Sequence, residues 1–167
     1  YRPTGIFYLT IPFIALFGRS EFAVRFPSSL IGALTIFPLY LFLYELVKSE
    51  NPKKGKIVAL LASVLLAVSP WHMEVSRATS EAVMSAFFAL FALYFLLKLL
   101  NTREKKFLFL SLLFFLISYL LYHAIRYLAP IFVGVIIIYK WKDVIESKKK
   151  RLGLLVLTFT IFITLFF

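Results

Sequence analysis

The chain has 167 residues, 62% of them hydrophobic and 20 of them Phe, with a mean hydropathy of +0.91. That is well above a soluble domain's apolar share of roughly half and excludes a soluble fold. A net charge of +11 implies no nucleic-acid partner, because nucleic-acid binders cluster their charge on a folded polar face, whereas here it falls between long apolar runs. The absence of Cys excludes disulfides and thiolate metal sites.

All twelve lysines lie in or beside Lys48 to Lys56, Lys98 to Lys106 and Lys140 to Arg151. This is the pattern of an integral plasma-membrane protein whose three basic loops are cytoplasmic. On the opposite side the ionisable groups are Arg2, Arg19, Glu21, Arg25, Glu74, Arg77, Glu81 and Arg126 with His72 and His123, at or just inside the ends of apolar segments. At that depth each costs several kcal/mol unless it is paired or faces water.

In chain order, Ile6 to Phe17 would be a helix of about 18 Å, too short for a hydrocarbon core of about 30 Å, and is placed at the interface. Gly18 ends it in the left-handed C′ position. In the following segment Arg25 either presents its guanidinium to a lipid headgroup or pairs with Glu21, four residues earlier. Phe26 to Val47 is long enough to cross, with Pro27 tolerated in its first turn and Pro38 as a kink. Ile57 to Trp71 runs back, its inner lysines reaching to the interface and Pro70 stopping it.

Ser69 to Glu81 is the richest outer segment. Trp71 reads as an interfacial anchor. His72 and Glu74 are two metal-type ligands without a third nearby. Arg77 and Glu81, four apart, suit an ion pair, and Thr79 or Ser80 is an N-cap, with Glu81 either a first-turn carboxylate on the helix dipole or a functional group. Thr79 to Leu100 is the next span. Phe107 to Tyr139 as one helix would be about 50 Å long and would put Lys140 to Arg151 outside. Two short spans with a break near Tyr122 to Arg126 keep all three basic loops together. His123 and Arg126 in that break then face a water-filled cavity, pair across it, or brace a hairpin. A last span begins at Leu152. The expected fold is all-α, a polytopic transmembrane helical domain of about six spans plus one interfacial helix.

No self-contained catalytic set appears. Cations, aromatic rings and one carboxylate gather on one side, which suits a phosphate-bearing lipid and a polyhydroxyl substrate, since Arg bonds phosphate bidentately and stays charged when desolvated. A lipid-linked-saccharide transporter or flippase would need similar groups. It should also show inverted repeats and broken helices at the midplane, whereas the ionisable groups here lie at one end.

The order of motifs, Phe17-Gly18, Arg25-Phe26-Pro27-Ser28, Ser69-Pro70, Ser76-Arg77 with Glu81, Tyr122-His123-Ala124-Ile125-Arg126 and Pro130, resembles the C-type (GT-C) membrane glycosyltransferases. It is most like the dolichyl-phosphate-mannose protein mannosyltransferase and aminoarabinose transferase relatives. The resemblance covers essentially the whole chain. It implies transfer of a sugar from a polyprenyl-phosphate-linked donor to a protein, lipid or polysaccharide hydroxyl on the outer face, with membrane lipid as surroundings. It also implies an acceptor-activating Asp in an external loop upstream of Tyr1, so residues 1–167 are expected to be part of a larger domain with further spans downstream. On that basis Glu81 supports catalysis, and Arg2, Arg25, His72, Glu74, Arg77, Tyr122, His123 and Arg126 bind substrate. Tyr1 stands where aminoarabinose transferases carry a Glu implicated in metal binding, so neither a cofactor nor a metal site is carried over.

Overall fold

The computed structural model describes residues 5–102 and 104–139; Arg2, Arg103 and the span expected from Leu152 fall outside them. The described residues form helices only, as expected of an all-α GT-C-like membrane domain. They are α1 (Gly5–Phe17), α2 (Glu21–Leu34), α3 (Ile36–Val47), α4 (Pro52–Ala67), α5 (Pro70–Arg77), α6 (Glu81–Thr102), α7 (Lys105–Leu121) and α8 (Ile125–Tyr139).

Among the described residues two helical stretches are long and apolar enough to cross a membrane: Glu21–Val47, which is α2 running into α3, and α6. The bent pair α4 and α5 makes a third if counted as one span. Gly18 takes φ +72 after α1, the left-handed stop that glycine permits without strain.

Four boundaries differ from the sequence reading. The first span begins at Glu21, five residues before Phe26, because the Ser20 hydroxyl caps it by accepting the Ala23 N–H; Pro27 is therefore a buried interior residue. Its break falls at Thr35, whose N–H bonds the Gly32 carbonyl at 3.1 Å in a tight turn. Pro38 lies just beyond, lacking the N–H that would reach Leu34 and crowding that carbonyl. The Ile57 to Trp71 span is in fact two helices meeting at 58°. Asn51 caps α4, and Ser69 caps α5 with Pro70 in its first turn, so Pro70 starts a helix as well as closing one. At the start of α6 neither the Thr79 nor the Ser80 hydroxyl accepts a first-turn N–H among the described residues: Thr79 takes φ 56, and the Ser80 N–H donates to Ser28 Oγ at 3.0 Å.

The core lies where α6 packs on α7 and α8, with Leu96, Leu97, Leu99 and Val133 wholly buried and Phe42 and Leu46 of α3 against them. Lipid is as apolar as Leu, so close packing and interhelical hydrogen bonds hold such helices together. Ser85 and Ser118 each donate to the other's backbone carbonyl, at 3.0 and 2.8 Å, and Ser111 donates to the Ala92 carbonyl at 3.0 Å.

The two ends of the bundle differ in chemistry. At one end buried Glu45 accepts from Asn101 Nδ2 at 2.8 Å and meets Lys48 Nζ at 2.7 Å, while the Lys98 and Lys106 ammonium groups flank the Phe107 ring at 5.1 and 5.0 Å. Tyr139, the last described residue, donates its hydroxyl to Glu50 at this same end. The hairpin with its break at Tyr122 to Ala124 is thus observed, and it returns the chain to the lysine-bearing end. At the other end Ile6, Met84 and Leu121 form a second small core.

Candidate active site

The groove-bearing end is built around the crossing of α5 on α2. Its closeness depends on Gly32, where a Cβ would stand 2.3 Å from Ser76 Oγ and 2.5 Å from Ser76 Cβ. His72 is buried there, and its Nε2 lies 3.0 Å from the Gly32 carbonyl. A carbonyl only accepts, so Nε2 carries the proton. Ser29 Oγ reaches the Ser76 carbonyl at 3.5 Å, and the Ser28 hydroxyl holds the Ser80 N–H. A short helix after a sharp bend leaves backbone groups needing partners, and these side chains of α2 supply them.

The exposed face of α5 then opposes the start of α2. Arg25, Pro70, Met73, Glu74, Arg77 and Ala78 line an open groove of about 570 Å³. Beside it Ser29, Gly32, Ile36, Ala67, His72 and Ser76 line a smaller, mainly apolar cavity of about 290 Å³, with Met73 and Arg77 common to both. Arg25 Nη2 pairs with Glu21 Oε1 at 2.6 Å, so the helical pair is the one formed. Both side chains are more than half exposed, and such a pair contributes only about 0–1 kcal/mol, little enough for a phosphate to displace Glu21. Two guanidiniums and one carboxylate around an open groove suit an anionic group attached to a hydroxyl-bearing one.

The other expected residues that the structure describes, Glu81, Tyr122, His123 and Arg126, lie at the same end of the bundle but outside the groove lining. Glu81 opens α6, half-buried, and makes no ion pair with Arg77 among the described residues, because Ala78, Thr79 and Ser80 break the helix between them. Tyr122 ends α7 in extended backbone and is 37% exposed, and His123 follows in the turn. Arg126 in the first turn of α8 stacks on the Tyr119 ring, with its guanidinium carbon 4.9 Å from the ring centroid. It donates Nη2–H to the Tyr119 hydroxyl, and its buried Nε has no hydrogen-bond partner among the described residues. Sequence reasoning missed Tyr119 and the groove wall of Pro70, Met73 and Ala78; the seven-residue spacing of Tyr119 and Arg126 was the only available signal. Among the described residues no three His, Asp or Glu side chains converge.

The family model described as dolichyl-phosphate-mannose-protein mannosyltransferase matches residues 1–167. The chain belongs to that family. No curated protein and no solved structure matches it. Membership of this family, with the apolar helices, makes the chain a membrane glycosyltransferase of the mannosyltransferase type. A family of this description takes mannose from a lipid phosphate.

Proposed function

We propose that the full-length protein moves a hexosyl or pentosyl group from a polyprenyl-phosphate-linked donor to a hydroxyl of a protein, lipid or polysaccharide. The site is on the outer face of the plasma membrane, and the basic loops are cytoplasmic. The observation that supports this best is the groove of Arg25, Glu74 and Arg77 at the end of the bundle opposite the lysines. In the reaction the acceptor oxygen bonds to the anomeric carbon, the bond from that carbon to the donor phosphate oxygen breaks, and the acceptor proton passes to a carboxylate. By resemblance that carboxylate is the Asp expected upstream of Tyr1, with Glu81 in support. The departing lipid phosphate gains negative charge as the bond breaks, and Arg25 and Arg77 meet that charge. Arg126, stacked on Tyr119 beside Tyr122 and His123, adds a further fixed positive charge at this end. Electrostatic stabilisation of this kind is commonly the largest single contribution to catalysis.

The test is the full-length protein in detergent with a polyprenyl-phosphate mannose donor. Arg77→Ala should lower kcat/KM by about 10²- to 10³-fold. Arg77→Lys should recover only part, because an ammonium keeps the charge without the planar fork. Wild-type turnover by Arg77→Ala at equal folded yield refutes the reading.

A further inference from the structure

We propose that His72 is a positioning residue for the groove, acting on the donor through the placement of α5 without touching it. The inference rests on reading the groove as the donor-phosphate site. His72 is buried, and its Nε2–H is donated to the Gly32 carbonyl 40 residues away in sequence. Its backbone is held as well: the His72 N–H bonds the capping Ser69 hydroxyl at 3.4 Å, and its carbonyl accepts from Ser76 Oγ at 2.6 Å. The side chain is therefore the bolt between α5 and the point where α2 breaks, at Thr35.

What the bolt holds in place is the groove. The residue after His72, Met73, the one after that, Glu74, and Arg77 on the next turn all line it, and Arg25 faces them from α2, two turns before Gly32. The separation of Arg25 from Arg77 is set by how α5 lies on α2. The other holds on α5 among the described residues are less directional: buried Ser76 packs on Gly32 but its hydroxyl bonds within α5, Met73, Glu74 and Arg77 are exposed, and the Ser29 bond to the Ser76 carbonyl is long at 3.5 Å. A displacement of about 1 Å at a site that positions a reacting group lowers rates by as much as about 10²-fold.

The test uses the full-length protein, the same polyprenyl-phosphate mannose donor, and turnover per folded molecule. His72→Gln places an amide N–H near the position of Nε2, whereas the shorter Asn places it near Nδ1 and Ala supplies none. Gln should therefore restore most of the activity that Asn and Ala lose. His72→Ala and Arg77→Ala should each cost on the order of 10²-fold, and the double variant should cost about the same as either one, since coupled residues fail to add. A multiplicative loss in the double variant, on the order of 10⁴-fold by the same additivity, or equal behaviour of Gln and Asn, overturns the role of His72 while leaving the donor groove standing. Wild-type turnover by Arg77→Ala alone overturns the groove reading, and this inference with it.

Discussion

Gly32→Ala gives the sharpest test of the α2 and α5 crossing. Glycine to alanine inside a helix ordinarily stabilises by about 0.8–1.0 kcal/mol, so a loose crossing would make this variant more stable. The structure demands the opposite sign. The added methyl would stand 2.3 Å from Ser76 Oγ, 2.5 Å from Ser76 Cβ and 3.2 Å from Val83 Cγ1. Carbon atoms rest at about 3.5–4.0 Å, so α5 must retreat by roughly 1 Å. Overpacking of this kind costs about 1–3 kcal/mol. The same retreat stretches the His72 bond to Gly32 from 3.0 Å beyond hydrogen-bond range, adding about 0.5–1.5 kcal/mol.

The assay is thermal unfolding and sugar transfer by the full-length protein, with two compensating changes at Ser76. Ser76→Gly removes both offending atoms and leaves only Val83, so it should restore most of the stability and activity of Gly32→Ala. The recovery is incomplete, because glycine in an eight-residue helix costs about 1 kcal/mol and the Ser76 bond to the His72 carbonyl is lost. Ser76→Ala keeps the Cβ contact at 2.5 Å and should rescue little. A stabilised Gly32→Ala protein, or equal rescue by Ala and Gly at position 76, refutes the argument.

Two further outcomes are expected. Glu45→Ala strips acceptors from Asn101 and Lys48, and hydrogen bonds to charged groups are worth about 1.5–3 kcal/mol each, so the melting temperature should fall while the donor KM stays unchanged; an altered KM would tie this end of the bundle to the site. The chain contains no Cys, so single cysteines report cleanly on topology. Cysteines at Lys54 and Lys106 should be shielded from a membrane-impermeant thiol reagent in intact cells and one at Met73 labelled, and labelling at Lys54 with protection at Met73 would invert the proposed orientation.

Charge placement made much of the fold legible. The lysine segments required the chain to return after residue 122, and the hydroxyl bond from Tyr139 to Glu50 shows that it does. The pair of Glu21 and Arg25 was readable because one helical turn separates them. Proline misled twice for one physical reason. It is compatible with a helix start and hostile to a helix interior, so Pro27 was placed at a start and Pro70 at a stop, yet the caps at Ser20 and Ser69 decide both boundaries. Glu45 escaped notice because its run is apolar and its partner Asn101 lies 56 residues away. The groove was half legible: Arg25, Glu74 and Arg77 were named as separate candidates, but nothing local says that Gly32 lets α5 approach closely enough to unite them.

The distribution of cations then takes on a mechanistic sense. Every described lysine lies at the Glu45 end, and every described arginine, Arg19, Arg25, Arg77 and Arg126, lies at the groove end. Lysine at a membrane boundary extends its ammonium toward water along an apolar stem, and here the Lys98 and Lys106 ammonium groups flank the Phe107 ring. Arginine keeps its charge where water is scarce and presents a planar fork to phosphate, so it serves where charge must be held rigidly against a substrate. Rigidity at the groove comes from the bonds that also satisfy the broken backbone of α2 and α5, with His72, Ser28 and Ser29 as their donors and acceptors. With the groove as the proposed donor site, stability and donor binding are inseparable at that crossing. At Glu45 they are separate, because the bond there joins α3 to α6 at the far end of the helices. Substitutions at the crossing should move melting temperature and donor KM together, and substitutions at Glu45 should move the first alone.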